Sequence, residues 1–568
     1  MNKHFRYSPV AAVLLIAFSM SSSSWAQQIP RVPGIGDAAR EVEAARPTPQ
    51  PQQTPTPITI VEEPPMMLSE GETLLVRAFK LQDAEGIDER DIQNVLAPYA
   101  GKNLTLAQIN EAADKVTQLY RSRGYPVARA YVPKQDASNG TLTIQILIGR
   151  FGNISINNQS LVKRGSIIQS VFERLEKGQA ITRPQLERAM LLIDDLPGAR
   201  VPTITISPGA EHGTSDFDVA IPVEKRFAGY ALTDNYGSRY TGRYRLSAGL
   251  DVHSPLGLGD QFSVGGLISE DIGLLSGHVD YSLPLSGNGL RANVGVYRTT
   301  YELGKEFSVL DATGHDMGVT LGLSYPLIRS QYQNLVINAN ATVRQLKDEI
   351  GVIDEQTKKK AYVGTLSARY ESWNTLFNRG IYNSARLGLT FGRLSFDDPF
   401  QAAMNRLGAD TEGSFSHVNL ALNSRYSLTQ KVSTLLTFTA QKALGGKNLD
   451  GSEQMSISGA NGVRAYREGV SGDNAYFVNA EVRYQLPEVA ALSHSLGVFA
   501  GTGRSHYENG DYVLENGVRL SDVGLSYVGT YNSTFYVKMQ VTHAVGSRPE
   551  RTYHDDRTLF LAQIGTFF

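Results

Sequence analysis

Several features that are common in soluble enzymes and helical membrane proteins are missing from this sequence. It has no cysteine, only 2 tryptophans and only 19% charged residues in a length of 568. The absence of cysteine excludes disulfides, thiolate metal sites and a cysteine nucleophile. No run of about 20 mostly apolar residues occurs, which excludes a bundle of transmembrane helices. Lys and Arg (54) nearly balance Asp and Glu (56), so the charge gives no indication of a nucleic-acid partner.

Glycine and tyrosine are instead abundant, with 54 and 27 residues, and hydrophobic residues reach 41%. The charged fraction is below the roughly 25% that is usual for soluble proteins. A membrane β-barrel combines low charge with moderate hydrophobicity, because its strands need apolar side chains only at alternate positions. The composition therefore favours a barrel.

The first 26 residues have the pattern of a secretory signal peptide. Basic Lys3 and Arg6 precede a short apolar run at 10–18, and Ser24-Trp25-Ala26 is a small-x-small cleavage site. We predict cleavage after Ala26 and export from the cytoplasm. The alternative is an anchor that is not cleaved, although the run is too short to span a bilayer as a helix. An exported chain of this composition can cross a membrane only as a closed barrel.

Residues 27–46 are predicted to hold an N-terminal helix, because 36–46 is rich in Ala, Glu and Arg and Asp37 can cap the first turn. The helix is too weakly apolar to carry a core of its own, so it must dock into a larger body or stay loose. Residues 47–70 are a Pro-rich linker, which we predict to be an extended, semi-rigid tether. The two segments form either a disordered leader or a tethered helix that can enter and leave a site.

Two α/β modules are predicted next, at residues 71–148 and 149–224, each with the order β-α-α-β-β. The first has helical spacing over 88–96 and 105–123, and a strand with alternating apolar residues over 141–148. The second repeats the pattern, with a helix that begins at Thr182. Modules of about 75 residues are small but feasible for a helix-backed three-stranded sheet.

Residues 225–568 show short alternating runs separated by Gly, Asn, Asp and Pro. At 535–541, for example, every second side chain is apolar, as in a membrane strand with an apolar outer face. The length predicts roughly 16 strands at about 20–22 residues for a strand and its loop. The last strand alternates and ends in the aromatic Phe568, which is typical of bacterial outer-membrane barrels. The alternative is a soluble β protein with several sheets.

Short motifs in a specific order along the chain resemble those of one transporter family. In the first module they are Gly124-Tyr125, Pro133 and Gln135, and in the second Leu196-Pro197-Gly198. The sequence is similar to two-partner secretion outer-membrane transporters of the TpsB type. These belong to the haemolysin/haemagglutinin secretion-activation family, within the superfamily of barrels with polypeptide-transport-associated (POTRA) domains. Each motif is weak alone, but together they cover nearly the whole mature chain.

The resemblance implies a mainly β fold, with a transmembrane antiparallel barrel of about 16 strands behind two periplasmic POTRA domains and an N-terminal plug helix. It implies a place in the outer membrane of a Gram-negative bacterium. There the chain would recognise an unfolded partner exoprotein through its POTRA domains and secrete it through the lumen without ATP. The exoprotein would be large and β-helical, and the C-terminal strand would engage the barrel-assembly machinery. We expect a monomer in contact with outer-membrane lipid, with no nucleic-acid partner, cofactor, metal or catalytic residue.

A long extracellular loop around 452–474 is expected to fold back into the lumen. Its tip, Val463-Arg464-Ala465-Tyr466, resembles the family's Val-Arg-Gly-Tyr, with alanine where glycine would tolerate positive φ. The family's wall motif, Phe-x-Asp-x-Gly, matches the segment that contains Phe499, Gly501 and Gly503. Gly501 therefore stands where the carboxylate partner of the loop arginine is expected.

Because an unpaired buried guanidinium is costly, Arg464 needs another acceptor. We hypothesise that Glu481 or Asp522 takes this role, or that Arg464 stacks on an aromatic ring. The alternative is an ordinary loop charge.

Other functions are also compatible with parts of the sequence. A barrel-assembly factor of the same superfamily tends to carry more POTRA domains, and a passive porin-like channel does not need the Arg464 loop. An autotransporter would carry a large N-terminal passenger. No GxxxxGK[ST], HExxH or GxSxG motif occurs, so we predict that the chain is not an enzyme.

Overall fold

The computed structural model describes residues 32–45, 55–60 and 73–568, apart from 212, 468, 514, 515, 533, 548 and 550–555. The predicted signal peptide lies outside the described residues, as does most of the Pro-rich linker. Within the described part of the chain, no helix is both long and apolar enough to cross a bilayer.

Two short elements precede the modules. Helix α1 spans Ile35–Ala45, and strand β1 spans Ile58–Ile60. The predicted tether thus contains a strand, and β1 pairs in parallel with Ile204–Ile206 of the second module. This pairing was not visible in the Pro-rich composition, because it is decided by a partner strand almost 150 residues away.

The first module has two helices, a three-stranded sheet and a separate two-stranded sheet. Helix α3 begins where predicted because Thr105 and Gln108 form a capping box. The strand region at 73–82 is broken at Arg77, since its two halves pair with different partners: Thr73–Val76 pairs with Lys102–Thr105, and Ala78–Gln82 pairs with Thr141–Leu147. The elements are β2 Thr73–Val76, β3 Ala78–Gln82, α2 Glu89–Leu96, a 3-10 turn Ala97–Tyr99, β4 Lys102–Thr105, α3 Leu106–Ser122, β5 Arg129–Tyr131 and β6 Thr141–Leu147.

The second module has its own apolar core and a four-stranded sheet in the order β1-β8-β9-β7. Leu186, Met190 and Ile193 of its longer helix are fully buried, as the helical spacing predicts. The elements are β7 Arg150–Asn158, α4 Ile167–Phe172, α5 Arg183–Asp194, β8 Thr203–Pro208 and β9 Thr214–Ile221.

In the part of the chain that the structure describes, 16 strands form a closed barrel. Each pairs antiparallel with its neighbours, and β27 closes the barrel on β10. The strands are β10 Phe227–Asp234, β11 Arg245–His253, β12 Gln261–Ser269, β13 Leu274–Pro284, β14 Arg291–Glu302, β15 Ala312–Arg329, β16 Gln333–Ile350, β17 Glu355–Leu376, β18 Arg379–Phe396, β19 Gly413–Ser427, β20 Val432–Leu444, β23 Asn474–Gln485, β24 Leu492–His506, β25 Val518–Tyr531, β26 Phe535–Ala544 and β27 Thr558–Phe567.

The barrel wall alternates as a lipid-facing strand requires. On β24 and β25, Val498 and Leu525 point outward and are 61% and 60% exposed, whereas the inward-facing Phe499 and Asp522 are 2% and 1% exposed. Large apolar side chains left uncovered on every strand are stable in lipid rather than in water. The predicted fold class, a mainly β barrel of about 16 strands, is confirmed.

The second module is fastened to the turn of the barrel between β15 and β16. Arg329, at the end of β15, binds both carboxylate oxygens of Asp195 at 2.7 and 2.8 Å. Arg188 of α5 donates to the carbonyl of Pro326 at 2.9 Å. This turn therefore lies at the end of the barrel next to the second module, and β16 and β18 run away from that end.

Candidate functional site in the barrel lumen

The connection between β20 and β23, residues 445–473, folds back into the barrel. It contains a small hairpin of β21, Met455–Ser456, and β22, Ser471–Gly472. At its tip Val463, Ala465 and Tyr466 are fully buried. They pack on inward-facing apolar side chains of the wall, which are Phe477, Val518, Leu520 and Ala544.

Asp522 of β25 holds the backbone of the tip. Its Oδ2 accepts hydrogen bonds from the backbone N–H of Arg464, from that of Ala465 at 3.0 Å and from the Thr542 hydroxyl at 3.1 Å. Charge-assisted bonds of this kind are about twice as strong as neutral ones. Asp522 is 1% exposed, so water is not available to replace them.

The Arg464 side chain makes a different set of contacts. Its Cζ lies 4.1 Å from the centre of the Phe499 ring, and its Nη2 lies 3.8 Å from Oε2 of Glu481. Glu481 also accepts from Arg483 at 2.8 Å and from the Ser526 hydroxyl at 2.7 Å. The Arg464 Nε and Nη1 atoms have no hydrogen-bond partner among the described residues. The structure thus brings together the tip arginine, the aromatic of the wall motif and both candidate carboxylates.

Gly501 and Asp522 are directly opposite each other on β24 and β25. A Cβ on Gly501 would lie 2.5 Å from Oδ1 of Asp522 and 2.4 Å from Oδ1 of Asn479. The space for a side chain at the family's aspartate position is therefore filled by a carboxylate from the neighbouring strand. Gly503 has a similar reason to be glycine, because a Cβ there would lie 2.9 Å from the Tyr476 carbonyl and 3.4 Å from Ile457 of the loop.

Ala465 does not have the strain that the glycine of the family motif suggests. It is not among the non-glycine residues with positive φ. The alanine is therefore compatible with the tip conformation.

Ion pairs hold the base of the loop to the opposite side of the lumen. Lys359 of β17 binds Asp450 at 2.8 Å, and Arg344 of β16 binds Glu453 at 3.1 Å as well as Asp316. The loop therefore crosses the lumen from one wall to the other. Sequence reasoning missed these pairs, although charged residues at inward positions of otherwise apolar strands are a signal for them.

Helix α1 lies inside the barrel, between the wall and the loop. Glu41 accepts from Arg245 at 3.3 Å, from the Thr241 hydroxyl at 3.0 Å and from the Ser238 backbone N–H at 3.3 Å. Arg245 also binds Asp234 at 2.9 Å, so it is shared between the helix and the wall.

The N-terminal end of α1 is anchored in the same way. The Ile35 backbone N–H donates to Asp348 at 2.8 Å. On the loop side, Arg40 donates to the Ser471 hydroxyl at 3.2 Å. A Cβ on Gly36 would lie 2.4 Å from the Gly451 carbonyl carbon, so the helix packs directly on the loop backbone there.

The motif residues of the two modules lie in turns and sheet edges, outside the lumen. Gly124 has φ 96° and ends α3, and Tyr125 packs on Tyr120 with ring centres 5.9 Å apart. After Pro133, the Gln135 side chain bonds both backbone groups of Thr143 at 2.8 Å, so it continues the pairing of β6 beyond β5.

In the second module, Leu196 is buried and Gly198 has φ 95°. The Pro197 carbonyl accepts from the Ser254 hydroxyl of a barrel turn at 2.6 Å. At the end of the chain, Phe568 exchanges two backbone hydrogen bonds of 3.0 Å with Gly229 of β10.

Comparison with known proteins identifies the family to which this chain belongs. The model of the haemolysin secretion/activation protein ShlB/FhaC/HecB family matches residues 213–520, over half of the chain. The chain belongs to this family. A model of the ShlB-type POTRA domain also matches, at residues 74–149.

Individual relatives agree with the family. The heme/hemopexin transporter protein HuxB of Haemophilus influenzae is 26% identical over 100% of both chains. The outer membrane transporter CdiB of Dickeya dadantii is 25% identical over 78% of this chain and 77% of that protein. The structure of CdiB from Escherichia coli has a TM-score of 0.69, covers 89% of this chain and 93% of that one, and shows the same fold at 20% identity.

As a member of the ShlB/FhaC/HecB family, the chain is an outer-membrane transporter of two-partner secretion, with its POTRA region in the periplasm. The predicted family, function and location are confirmed. The end of the barrel that contacts the second module is therefore the periplasmic end, and the loop of residues 445–473 starts from the extracellular end.

Proposed function

We propose that the lumen is the route of the exoprotein, and that α1 and the loop of residues 445–473 close it in the resting state. The observation that carries this proposal is that both segments are held across the lumen by polar contacts with the inner wall. Hydrogen bonds and ion pairs inside a polar lumen can be exchanged for water when the segments leave. A passive porin-like channel would be blocked by two segments that fill its lumen.

The modules are proposed to capture the unfolded exoprotein by adding one of its strands to a sheet edge. The edge of β8 is suited to this, because it already accepts an added strand, the three-residue β1. A strand that short contributes little pairing, so a longer strand of the exoprotein would displace it. Since β1 and α1 are joined by residues 46–57, displacement of β1 would also free the connection to the plug helix.

A proline at Thr59 is expected to strengthen exoprotein binding severalfold. Proline lacks the N–H that a paired strand needs, so β1 would leave the β8 edge and stop competing. The measurement is the affinity of the purified full-length transporter for the N-terminal domain of its exoprotein. Thr59→Ala, which keeps the backbone N–H, is the matched control and should bind like the wild type. Unchanged or weaker binding by Thr59→Pro would show that this edge is not the capture site.

Deleting residues 74–223 tests the role of the modules as a whole. We expect no secretion of the exoprotein, while the barrel still folds and shows its normal heat-dependent shift in gel mobility. Continued secretion would rule out capture by the POTRA region. Purified transporter and exoprotein in proteoliposomes without nucleotide would test the further proposal that transport needs no ATP.

The kind of exoprotein, the assembly of the barrel and the oligomeric state are also part of the proposal. The partner is inferred to be a large β-helical exoprotein, and a gene for such a protein next to this one would support the assignment. The C-terminal strand and Phe568 are proposed to engage the barrel-assembly machinery, and the transporter is proposed to act as a monomer. No catalytic reaction is proposed for it.

A further inference from the structure

A groove of about 780 Å³ lies on the outer surface of the barrel, across β15–β18. Four residues in one cross-strand row define its floor and sides. They are Leu321, Ala341, Gly364 and Phe391. The two central residues, Ala341 and Gly364, are small, so they leave a depression between the side chains of Leu321 and Phe391. These two side chains are 60% and 55% exposed. A Cβ on Gly364 would lie 2.7 Å from the Phe391 ring, which shows that the ring leans over the floor.

The groove has a cation at its extracellular end. β18 runs from the periplasmic to the extracellular side, and Arg393 is two positions beyond Phe391 on the same outer face. Its cross-strand neighbours Tyr362 and Ser414 carry no charge. Within the described part of the chain, no carboxylate forms an ion pair with Arg393. Lys447 lines the same end but already contacts Asp410, at 3.8 Å.

We propose that this groove binds a phosphorylated glycolipid of the outer leaflet, with one acyl chain on the floor and a phosphate on Arg393. The apolar floor is on the outer face of the wall, which contacts lipid in a membrane barrel, so an acyl chain is the available occupant. Arg393 is about 7 Å further along the strand, at roughly 3.3 Å per residue, which is within the span of one lipid molecule. A guanidinium fork matches a phosphate in geometry and charge. The outer leaflet of this membrane supplies lipids that combine several acyl chains with phosphates.

The test is equilibrium binding of bis-phosphorylated lipid A to the purified full-length transporter in detergent, and native mass spectrometry measures the bound fraction. Arg393→Gln is expected to weaken binding about tenfold, which is the usual scale for losing one charged hydrogen-bond partner. Ala341→Leu, which fills the floor without touching the charge, should weaken binding to a similar degree. Arg379→Gln changes the same residue type at the periplasmic end of the same strand and should leave binding unchanged.

Three results would overturn the proposal. The first is binding of lipid A to Arg393→Gln as tight as to the wild type. The second is an equal loss of affinity in Arg379→Gln. The third is binding of dephosphorylated lipid A to the wild type as tight as that of the phosphorylated form. Equal binding of phosphatidylglycerol would replace the glycolipid by a glycerophospholipid. Heat-dependent gel mobility shows for each variant that the barrel is folded.

Discussion

Replacing Asp522 by alanine is expected to release the tip of the loop and to speed thiol labelling of the tip at least about tenfold. The buried carboxylate accepts from two backbone N–H groups and from Thr542. Each buried donor left unpaired costs about 1–3 kcal/mol, and 1.4 kcal/mol is a tenfold change in an equilibrium. Because the chain has no cysteine, a single cysteine at Ala460 reports loop position through its rate of thiol labelling.

The cross-strand position of Gly501 provides the matched control. Gly501→Asp alone should also speed labelling of the tip, since its Cβ would lie 2.5 Å from Asp522 Oδ1 and two carboxylates would meet. Gly501→Asp combined with Asp522→Gly moves the carboxylate to the position of the family motif. The double variant should be labelled more slowly than either single variant. Labelling of Asp522→Ala at the wild-type rate would show that the apolar packing of the tip holds the loop without this carboxylate.

Replacing Glu41 by alanine is expected to free the plug helix and to raise the fraction of open channels by more than tenfold. The change removes three acceptor contacts from α1, to Arg245, Thr241 and Ser238. Arg245 keeps its bond to Asp234, so the wall is not left with an uncompensated charge. Hydrogen bonds to charged groups contribute about 1.5–3 kcal/mol each, and about 1.4 kcal/mol is a tenfold change in an equilibrium, so the loss of three contacts supports a shift of this size. Conductance of single molecules in planar bilayers measures it.

Glu43→Ala is the control, because Glu43 lies on the same helix but is exposed. Thr241→Val removes only one of the three donors and should give a smaller increase than Glu41→Ala. Equal conductance of wild type and Glu41→Ala would mean that the contacts of Ile35 and Arg40 hold the helix without Glu41.

Local patterns predicted most of the elements of this chain. The Thr105 cap placed the start of α3, and the alternation at residues 535–541 became β26. Such predictions succeed because capping and side-chain period depend on residues only a few positions apart. Strand β4 was not predicted, and the break at Arg77 was not either, because both depend on which distant strands pair.

The candidate site also has features that local sequence patterns predict and features that depend on distant strands. The sequence indicated that Arg464 needs an acceptor, and it proposed Glu481, Asp522 or an aromatic ring. The structure has all three around the tip, with Asp522 on the backbone and Glu481 and Phe499 on the guanidinium. Which acceptor meets which donor depends on the register of β24 against β25, and a register is a property of the closed barrel.

The sequence by itself therefore determined a barrel whose strands alternate between lipid and lumen, preceded by two α/β modules. It did so because an apolar outer face requires the same two-residue period in every strand. Only the tertiary structure decided that β1 occupies the β8 edge, that Glu41 meets Arg245, and that Asp522 lies opposite Gly501 and holds the backbone of the loop tip. Those contacts join residues far apart in the chain, and the closing of the barrel is what brings them within hydrogen-bond distance.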